Sequence, residues 1–149
     1  MSDISFAAEG VSLEMNYLEC DSNDQGSSRW SVKLTLSHFT GCFTYEATDI
    51  WFEASMWDLF VDGLSSSRAQ NLKFFDMSQY FIFSIERTAT CFEIEIQAYE
   101  PLNSNGLMRL GAQLKSGLDG TFVSKLGDAF MEFPRFWLNR TGFTGDPNS

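Results

Sequence analysis

The sequence predicts a single α+β domain built around a mainly antiparallel sheet. Segments in which apolar residues recur at every second position lie on both sides of a segment whose apolar residues recur with the period of a helix. The order of elements is strands, helix, strands, helix, which is typical of an antiparallel sheet with helices packed on it. We expect about six to eight strands, in a curved sheet or a sandwich, and two helices at about residues 55–64 and 121–133.

Two alternating stretches precede the first helix and predict strands. Apolar residues share one face over residues 11–17, and again over residues 30–38. The glycine-containing segment 39–41 can turn the chain, after which residues 43–47 continue the inward-facing set. The simplest interpretation is a β-hairpin that leads towards the first helix.

Further strands are predicted between the two helices, beginning with a short one at residues 71–75. The next two should be joined by a turn at residues 87–90, and Pro101 should end the second of them because proline has no amide hydrogen for the ladder. Asn105-Gly106 predicts a turn into the last strand, whose outward-facing bases could lie across from Glu93 and Glu95. The inward-facing residues of these strands are Phe81, Phe83 and Ile85, then Phe92, Ile94 and Ile96, then Met108, Leu110, Ala112 and Leu114.

The first helix is predicted from the apolar stripe Trp57, Phe60, Val61 and Leu64. Ser55 could cap its first turn through the side-chain hydroxyl, with Asp58 reaching back to the Ser55 amide.

The second helix is predicted from a stripe that is followed by Pro134, which should stop the helix. Asp119 or Thr121 could cap its start. Residues 1–149 form one domain in this interpretation, with a frayed tail at about 144–149. The stripe consists of Val123, Leu126, Phe130 and Phe133.

The net charge of −10, from 20 acidic and 10 basic residues, bears on the partners that we expect. A negative field repels nucleic-acid phosphates and anionic lipid surfaces, so we expect neither nucleic-acid nor membrane binding. The same field attracts a basic protein, although an acidic surface also simply keeps a protein in solution.

Residues that could support catalysis or bind a metal are few. Cys20, Cys42 and Cys91 are odd in number and contain no CxxC pair, so we expect thiols in a reducing compartment, with neither metal nor cofactor. His38 is the single histidine and would have to be the base of any Ser-His-Asp or Cys-His site; we expect it to be semi-buried and the chain to be non-enzymatic. Because the chain shows neither a secretion signal nor an apolar run long enough to span a bilayer, we expect a cytoplasmic protein.

Two sets of carboxylates are the candidate partner-binding residues. Glu53, Asp58 and Asp62 lie on or just before the first helix, with the two aspartates opposite the apolar stripe. Glu93 and Glu95 project from one face of their strand. Either set could instead be an ordinary solvated face.

A small-ligand binding module is the alternative function. A curved sheet rich in Phe and Trp can enclose an apolar pocket, and Trp30, Trp51 and Phe83 are the candidate lining residues. The 15 phenylalanines also suit a plain aromatic core. Self-association through an exposed sheet edge is a third possibility, and the oligomeric state stays open.

Three features of the sequence together resemble one family. They are the hairpin that leads into Asp49-Ile50-Trp51-Phe52 and the first helix, the hairpin over residues 80–99 that runs to Glu100-Pro101, and the closing helix with Phe133-Pro134-Arg135. Over roughly residues 11–137, this layout resembles a family of small bacterial proteins that includes the WapI-type immunity proteins of polymorphic toxin systems.

The resemblance implies a cytoplasmic binding protein that neutralises a toxin domain by covering it. It brings no catalytic motif to this chain. A basic toxin domain would be drawn to an acidic surface, since opposite charge speeds the encounter of two proteins.

Overall fold

A computed structural model describes residues 2–21, 26–66, 71–87, 91–103, 106–117 and 121–135. It contains eight antiparallel strands in two four-stranded sheets and two helices, which confirms the predicted α+β domain. The predicted tail at 144–149, the cap Asp119 and the turn residues 88–90 and Asn105 lie outside the described residues. In chain order the elements are β1 (Ile4–Ala8), β2 (Val11–Cys20), β3 (Ser28–His38), β4 (Gly41–Phe52), α1 (Ala54–Ser65), β5 (Asn71–Phe75), β6 (Phe81–Arg87), β7 (Cys91–Asn103), β8 (Gly106–Gly117) and α2 (Thr121–Glu132).

The first sheet has the strand order β1-β2-β3-β4, in which every neighbour is also next in sequence. Strand β1 was not predicted, because its only bulky apolar residues are Ile4 and Phe6, too short an alternation to stand out. Glu9 and Gly10 turn the chain into β2 with positive φ angles of 51° and 82°. The turn brings Gly10 against β3, where its carbonyl accepts a hydrogen bond of 2.7 Å from the amide of Ser37.

The β3–β4 hairpin turns at Phe39 and Thr40, as predicted, and then runs beyond the core. Trp30 is fully buried, whereas His38 is exposed, so the expectation of a semi-buried histidine was wrong. Alternation correctly predicted that His38 shares a face with Trp30. The end of the hairpin extends past the core, however, so His38 is exposed. Between Ala47 and Ile50, β4 advances three residues while β3 advances two, which is a β-bulge.

The second sheet has the order β5-β6-β7-β8. Strand β7 does not end at Pro101 as predicted but continues to Asn103, with Pro101 paired to Leu107 of β8. The ladder between β6 and β7 stops at Phe81 and Ala98, so Pro101 lies where β7 has only one neighbouring strand. Proline is tolerated there because its nitrogen can face the open side. The β7–β8 hairpin therefore also extends beyond the core.

Both helices occupy their predicted positions, but the predicted cap of the first is absent. Helix α1 starts at Ala54 with Glu53 at the N-cap and no capping hydrogen bond from a side chain. Ser55 consequently lies inside the first turn and cannot act as the cap. Helix α2 ends at Glu132, one residue before the predicted end at about residue 133 and shortly before Pro134, which was predicted to stop it. Neither described helix is long and apolar enough to cross a membrane.

The two helices and the two sheets meet in a cluster of buried rings, which we call the aromatic junction. Trp57 of α1 stacks on Trp30 of the first sheet at 5.0 Å between ring centroids. It also contacts Phe74 of the second sheet edge-on at 5.2 Å and Phe130 of α2 at 5.3 Å. Trp30, Trp57, Phe74 and Phe130 are all fully buried. The aromatic junction thus joins both sheets and both helices of the fold.

Candidate functional site

The predicted acidic set on α1 is largely compensated within the fold. Nη1 of Arg135, which follows α2, lies 3.1 Å from Asp58 Oδ1 and 3.2 Å from Asp62 Oδ1. The Asp58 side chain is only 26% exposed, whereas that of Asp62 is 69% exposed. Glu53 is exposed at the N-cap. The arrangement attaches the segment after α2 to α1, so little of the charge of Asp58 is left for a partner.

The predicted pair on β7 is engaged as well. Nζ of Lys115 lies 3.0 Å from Glu93 Oε1, as predicted, whereas the residue across from Glu95 is Gln113 rather than a base. The carboxylate of Glu95 accepts a hydrogen bond from the Gln97 amide, whose own oxygen accepts one from the Tyr99 hydroxyl. Alternate side chains of β7 thus form a polar ladder on the outer face of the second sheet.

The three aromatic residues predicted to line a pocket do not come together around one. Trp30 and Phe83 are buried in the core. Trp51 is half-buried, and its carbonyl accepts a hydrogen bond of 2.8 Å from the amide of Met77 in the loop before β6. Alternation showed correctly that Trp30 and Phe83 face inward, but it could not distinguish a filled interior from a hollow one.

The remaining reactive side chains are placed as follows. The hydroxyl of Thr40 lies 2.7 Å from His38 Nδ1, a contact within the β3–β4 turn. Cys20 is half-buried and Cys42 is exposed. Within the described ranges, no cluster of three His, Cys, Asp or Glu side chains could hold a metal ion.

A groove of about 530 Å³ opens where the two sheets part. One wall is the run of residues 45–50 in β4. The two sheets are joined at this point by Tyr45, whose ring stacks on Phe81 at 5.4 Å between centroids with an interplanar angle of 8°. The opposite wall consists of Tyr80, Ala98, Tyr99, Met108 and Leu110.

The far wall of the groove is apolar and partly exposed to water. Tyr80, Met108 and Leu110 are 45%, 36% and 43% exposed. Met108 and Leu110 were predicted to face inward, and they do point to the inner side of the second sheet, but β8 carries them past the core. Exposed apolar side chains gathered around a concavity mark an interaction site more often than isolated ones do.

The charged residues that line the groove are the carboxylates Glu46 and Asp49. Glu46 and Asp49 are largely exposed, and none of the described residues that line the groove is basic. Each carboxylate also lies near a cation of the first sheet: Lys33 Nζ lies 3.8 Å from Glu46 Oε1, and Arg29 Nη1 lies 3.4 Å from Asp49 Oδ1. Exposed pairs of this kind are worth about 0–1 kcal/mol, so both carboxylates can exchange partners at little cost.

No family model, curated protein or solved structure matches this chain. Its function is therefore inferred from its residues and from their geometry.

Proposed function

We propose that this chain is a non-enzymatic protein-binding domain that engages a basic partner through the groove, as an immunity protein does when it neutralises a toxin domain by covering it. The observation that carries this proposal is the half-exposed apolar wall of Tyr80, Met108 and Leu110, facing a wall whose charges are all negative. Tyrosine and methionine are enriched at protein interfaces, because they supply large contact areas there.

The groove suits a partner better than either acidic surface that the sequence suggested. Asp58 and Asp62 share Arg135, whose side chain is only 17% exposed, so a partner would first have to displace a largely buried cation that attaches the segment after α2 to α1. Glu93 pairs with the exposed Lys115 on the outer face of the second sheet, opposite the face that carries Met108 and Leu110. Glu46 and Asp49 combine exposure with adjacent apolar area. Opposite charge would raise the association rate, and the apolar wall would slow dissociation.

A small-ligand site is the second candidate function, because the groove volume of about 530 Å³ falls in the range of ligand pockets. A ligand that filled the groove would raise the unfolding temperature of the protein, by an amount that grows with the logarithm of the ligand concentration above its Kd. Thermal unfolding across a panel of metabolites would reveal such a ligand. A rise that disappears in Met108→Ala would favour this candidate.

The proposal is tested by finding the partner and then removing each wall of the groove. Capture from a source lysate at low and at high salt identifies a salt-sensitive basic protein, whose binding kinetics are then measured with purified variants. We expect Tyr80→Ala with Met108→Ala to weaken binding by about 30-fold or more, the loss of a hot spot of about 2 kcal/mol. Leu59 is the matched control, because it is 76% exposed on α1, away from the groove lining.

Charge is tested separately from apolar area. Glu46→Lys with Asp49→Lys should lower the association rate at low salt and have less effect at high salt, since screening weakens long-range attraction. Glu53→Lys should leave the rate nearly unchanged. Binding that survives both groove variants but is lost in Leu59→Ala or Glu53→Lys would contradict the proposed surface.

A further inference from the structure

We infer that the partner presents an extended segment of alternating basic and apolar residues, which adds a strand to the first sheet along the open edge of β4. The inference rests on the proposed function, since it says how the groove would be filled. Its experiment, however, uses a defined peptide and needs no partner.

The first support is the way in which β4 lines the groove. Side chains of a strand alternate between its two faces, so a cavity over one face is lined by every second residue. Here the consecutive residues Tyr45, Glu46 and Ala47, which precede the β-bulge, all line the cavity, as do residues 48–50 beyond them. The groove therefore runs along the edge of β4 rather than over a face, and in the described part of the chain β4 is the last strand of its sheet.

The second support is the direction of the backbone groups along that edge. The amide of Ser37 donates to Gly10 on the β2 side of β3, so the amide and carbonyl of Ser37 point away from β4. Its pairing residue Cys42 must likewise turn these groups away from β3. By alternation, the same holds for Thr44 and Glu46, which thus present an amide and a carbonyl at the open edge.

The far end of the edge is already used in this way. The carbonyl of Trp51 points outward and accepts the hydrogen bond of 2.8 Å from Met77. The β-bulge between Ala47 and Ile50 lies between this used end and the open part. A bulge and two carboxylates hinder uncontrolled pairing of an edge strand. The open part is therefore best suited to a segment of opposite, positive charge.

The chemistry of the two walls specifies the occupant. A strand beside β4 would direct every second side chain towards the apolar wall of Tyr80, Met108 and Leu110. The intervening side chains would lie on the same side as Glu46, where opposite charges across paired strands are favourable. A second copy of β4 would bring like charges together instead, so a basic segment from another protein fits the edge better.

The experiment uses a capped, fluorescently labelled peptide of alternating lysine and valine, about eight residues long at about 3.3 Å per residue so that it spans the groove. Binding to the full chain is followed by fluorescence anisotropy at low salt. Two N-methylated versions are compared with the parent peptide: one lacks the amide hydrogens on one edge of the extended peptide, and the other lacks those on the opposite edge. A peptide with glutamate in place of lysine is the charge control.

We expect the parent peptide to bind, one methylated version to lose at least tenfold in affinity, and the other to bind nearly as well as the parent. Equal binding by the two methylated versions, no binding by the parent, or equal binding by the glutamate peptide would each overturn the inference. If the true partner still needs Tyr80 and Met108 while the peptide result is negative, only strand addition fails and the proposed function stands.

Two variants of one residue test the same edge from the side of the protein. Glu46→Gln removes the charge alone, whereas Glu46→Pro also removes the outward-facing amide hydrogen, which an edge strand tolerates. We expect Glu46→Pro to bind the peptide at least tenfold more weakly than Glu46→Gln, at similar unfolding temperatures. Equal affinities would overturn the inference. A concentration-dependent mass of the unmodified chain that Glu46→Pro abolishes would overturn it too, by showing that another copy of this chain occupies the edge.

Discussion

The aromatic junction and the groove are two places where the same pair of sheets meet, and they differ in what covers the aromatic rings. At the junction, Trp57 is enclosed by rings from both sheets and from α2. At the groove, Tyr45 stacks on Phe81, neither described helix contributes a residue to the lining, and Tyr80 is 45% exposed. Similar side chains therefore stabilise the fold in one place and are available to a partner in the other.

The difference arises from strand length. The strands of these two hairpins, β3–β4 and β7–β8, have 11 to 13 residues, and each helix has 12; because a strand rises about 3.3 Å per residue and a helix about 1.5 Å, the strands are about twice as long as the helices. Among the described residues, the outer ends of both hairpins therefore extend past the helices. Such ends expose apolar area at a cost in solubility, which the net charge of −10 offsets. The following predictions test this contrast, from the largest expected effect to the smallest.

Trp57→Ala should lower the free energy of unfolding by about 3–5 kcal/mol, because it removes a buried ring and leaves a cavity among the junction rings. Tyr80→Ala is the matched groove variant and should cost less than about 1 kcal/mol, since surface substitutions of half-exposed residues have small effects. Both values come from urea unfolding. Equal losses would show that the groove is part of the stabilising core.

Gly10→Ala should destabilise the fold by about 1–3 kcal/mol, because a side chain there is strained by the positive φ. Its Cβ would also lie 2.5 Å from the Ser37 carbonyl oxygen, where β3 leaves the core. Gly41→Ala in the same hairpin is the control, since its Cβ meets nothing within 4 Å. Thermal unfolding separates them, and an unaffected Gly10→Ala would mean that this turn does not anchor the hairpin.

Arg135→Gln should cost about 1 kcal/mol at low salt, since it leaves Asp58 and Asp62 without their shared cation. The loss should shrink at high salt, and Asp62→Asn in the same chain should recover part of it by removing the repulsion. Affinity for the lysine–valine peptide should not change. A weakened peptide affinity would mean that the α1 surface, and not only the groove, attracts basic segments.

The smallest expected effect is that of Tyr17→Phe on the pH dependence of the unfolding temperature. Burial raises the pKa of Tyr17 above its ordinary value of 10.0, and the neighbouring Cys20 raises it further. The unfolded chain therefore loses this proton first, so the contribution is present below about pH 10 and is lost as pH rises towards the folded-state pKa. Unfolding temperatures between about pH 8 and 11 should fall less steeply in Tyr17→Phe. An identical slope would contradict this assignment.

Much of the fold follows from periodicity in the sequence. The alternation around Trp30 and Phe83 and the stripe around Trp57 predicted which elements form and which faces are buried, because apolar periodicity reports burial directly. Strand β1 was missed because two apolar residues are too few to show a period. Pro101 was misjudged because proline is forbidden only where both sides of a strand are paired, and pairing is a property of the whole sheet.

The candidate site could not be predicted in the same way. Met108 and Leu110 follow the same alternation as buried inward-facing residues, so the sequence predicts burial for them. They are partly exposed because the β7–β8 hairpin is longer than the helices, which is a property of the whole fold. The carboxylates of Asp58 and Asp62 were correctly placed on α1, but their cation comes from Arg135, more than 70 positions later in the chain. Long-range pairing of this kind leaves no local signal.

Hydrogen exchange of individual β4 amides, with and without the lysine–valine peptide, tests the central claim most directly. The amides of Thr44 and Glu46 face the open edge, whereas those of Tyr45 and Ala47 face β3, so the two sets serve as signal and internal control. We expect Thr44 and Glu46 to exchange fast in the free protein and to become protected with the peptide, while Tyr45 and Ala47 are protected in both states. Unchanged exchange at Thr44 and Glu46 under saturating peptide would contradict the claim that the edge of β4 is a binding site.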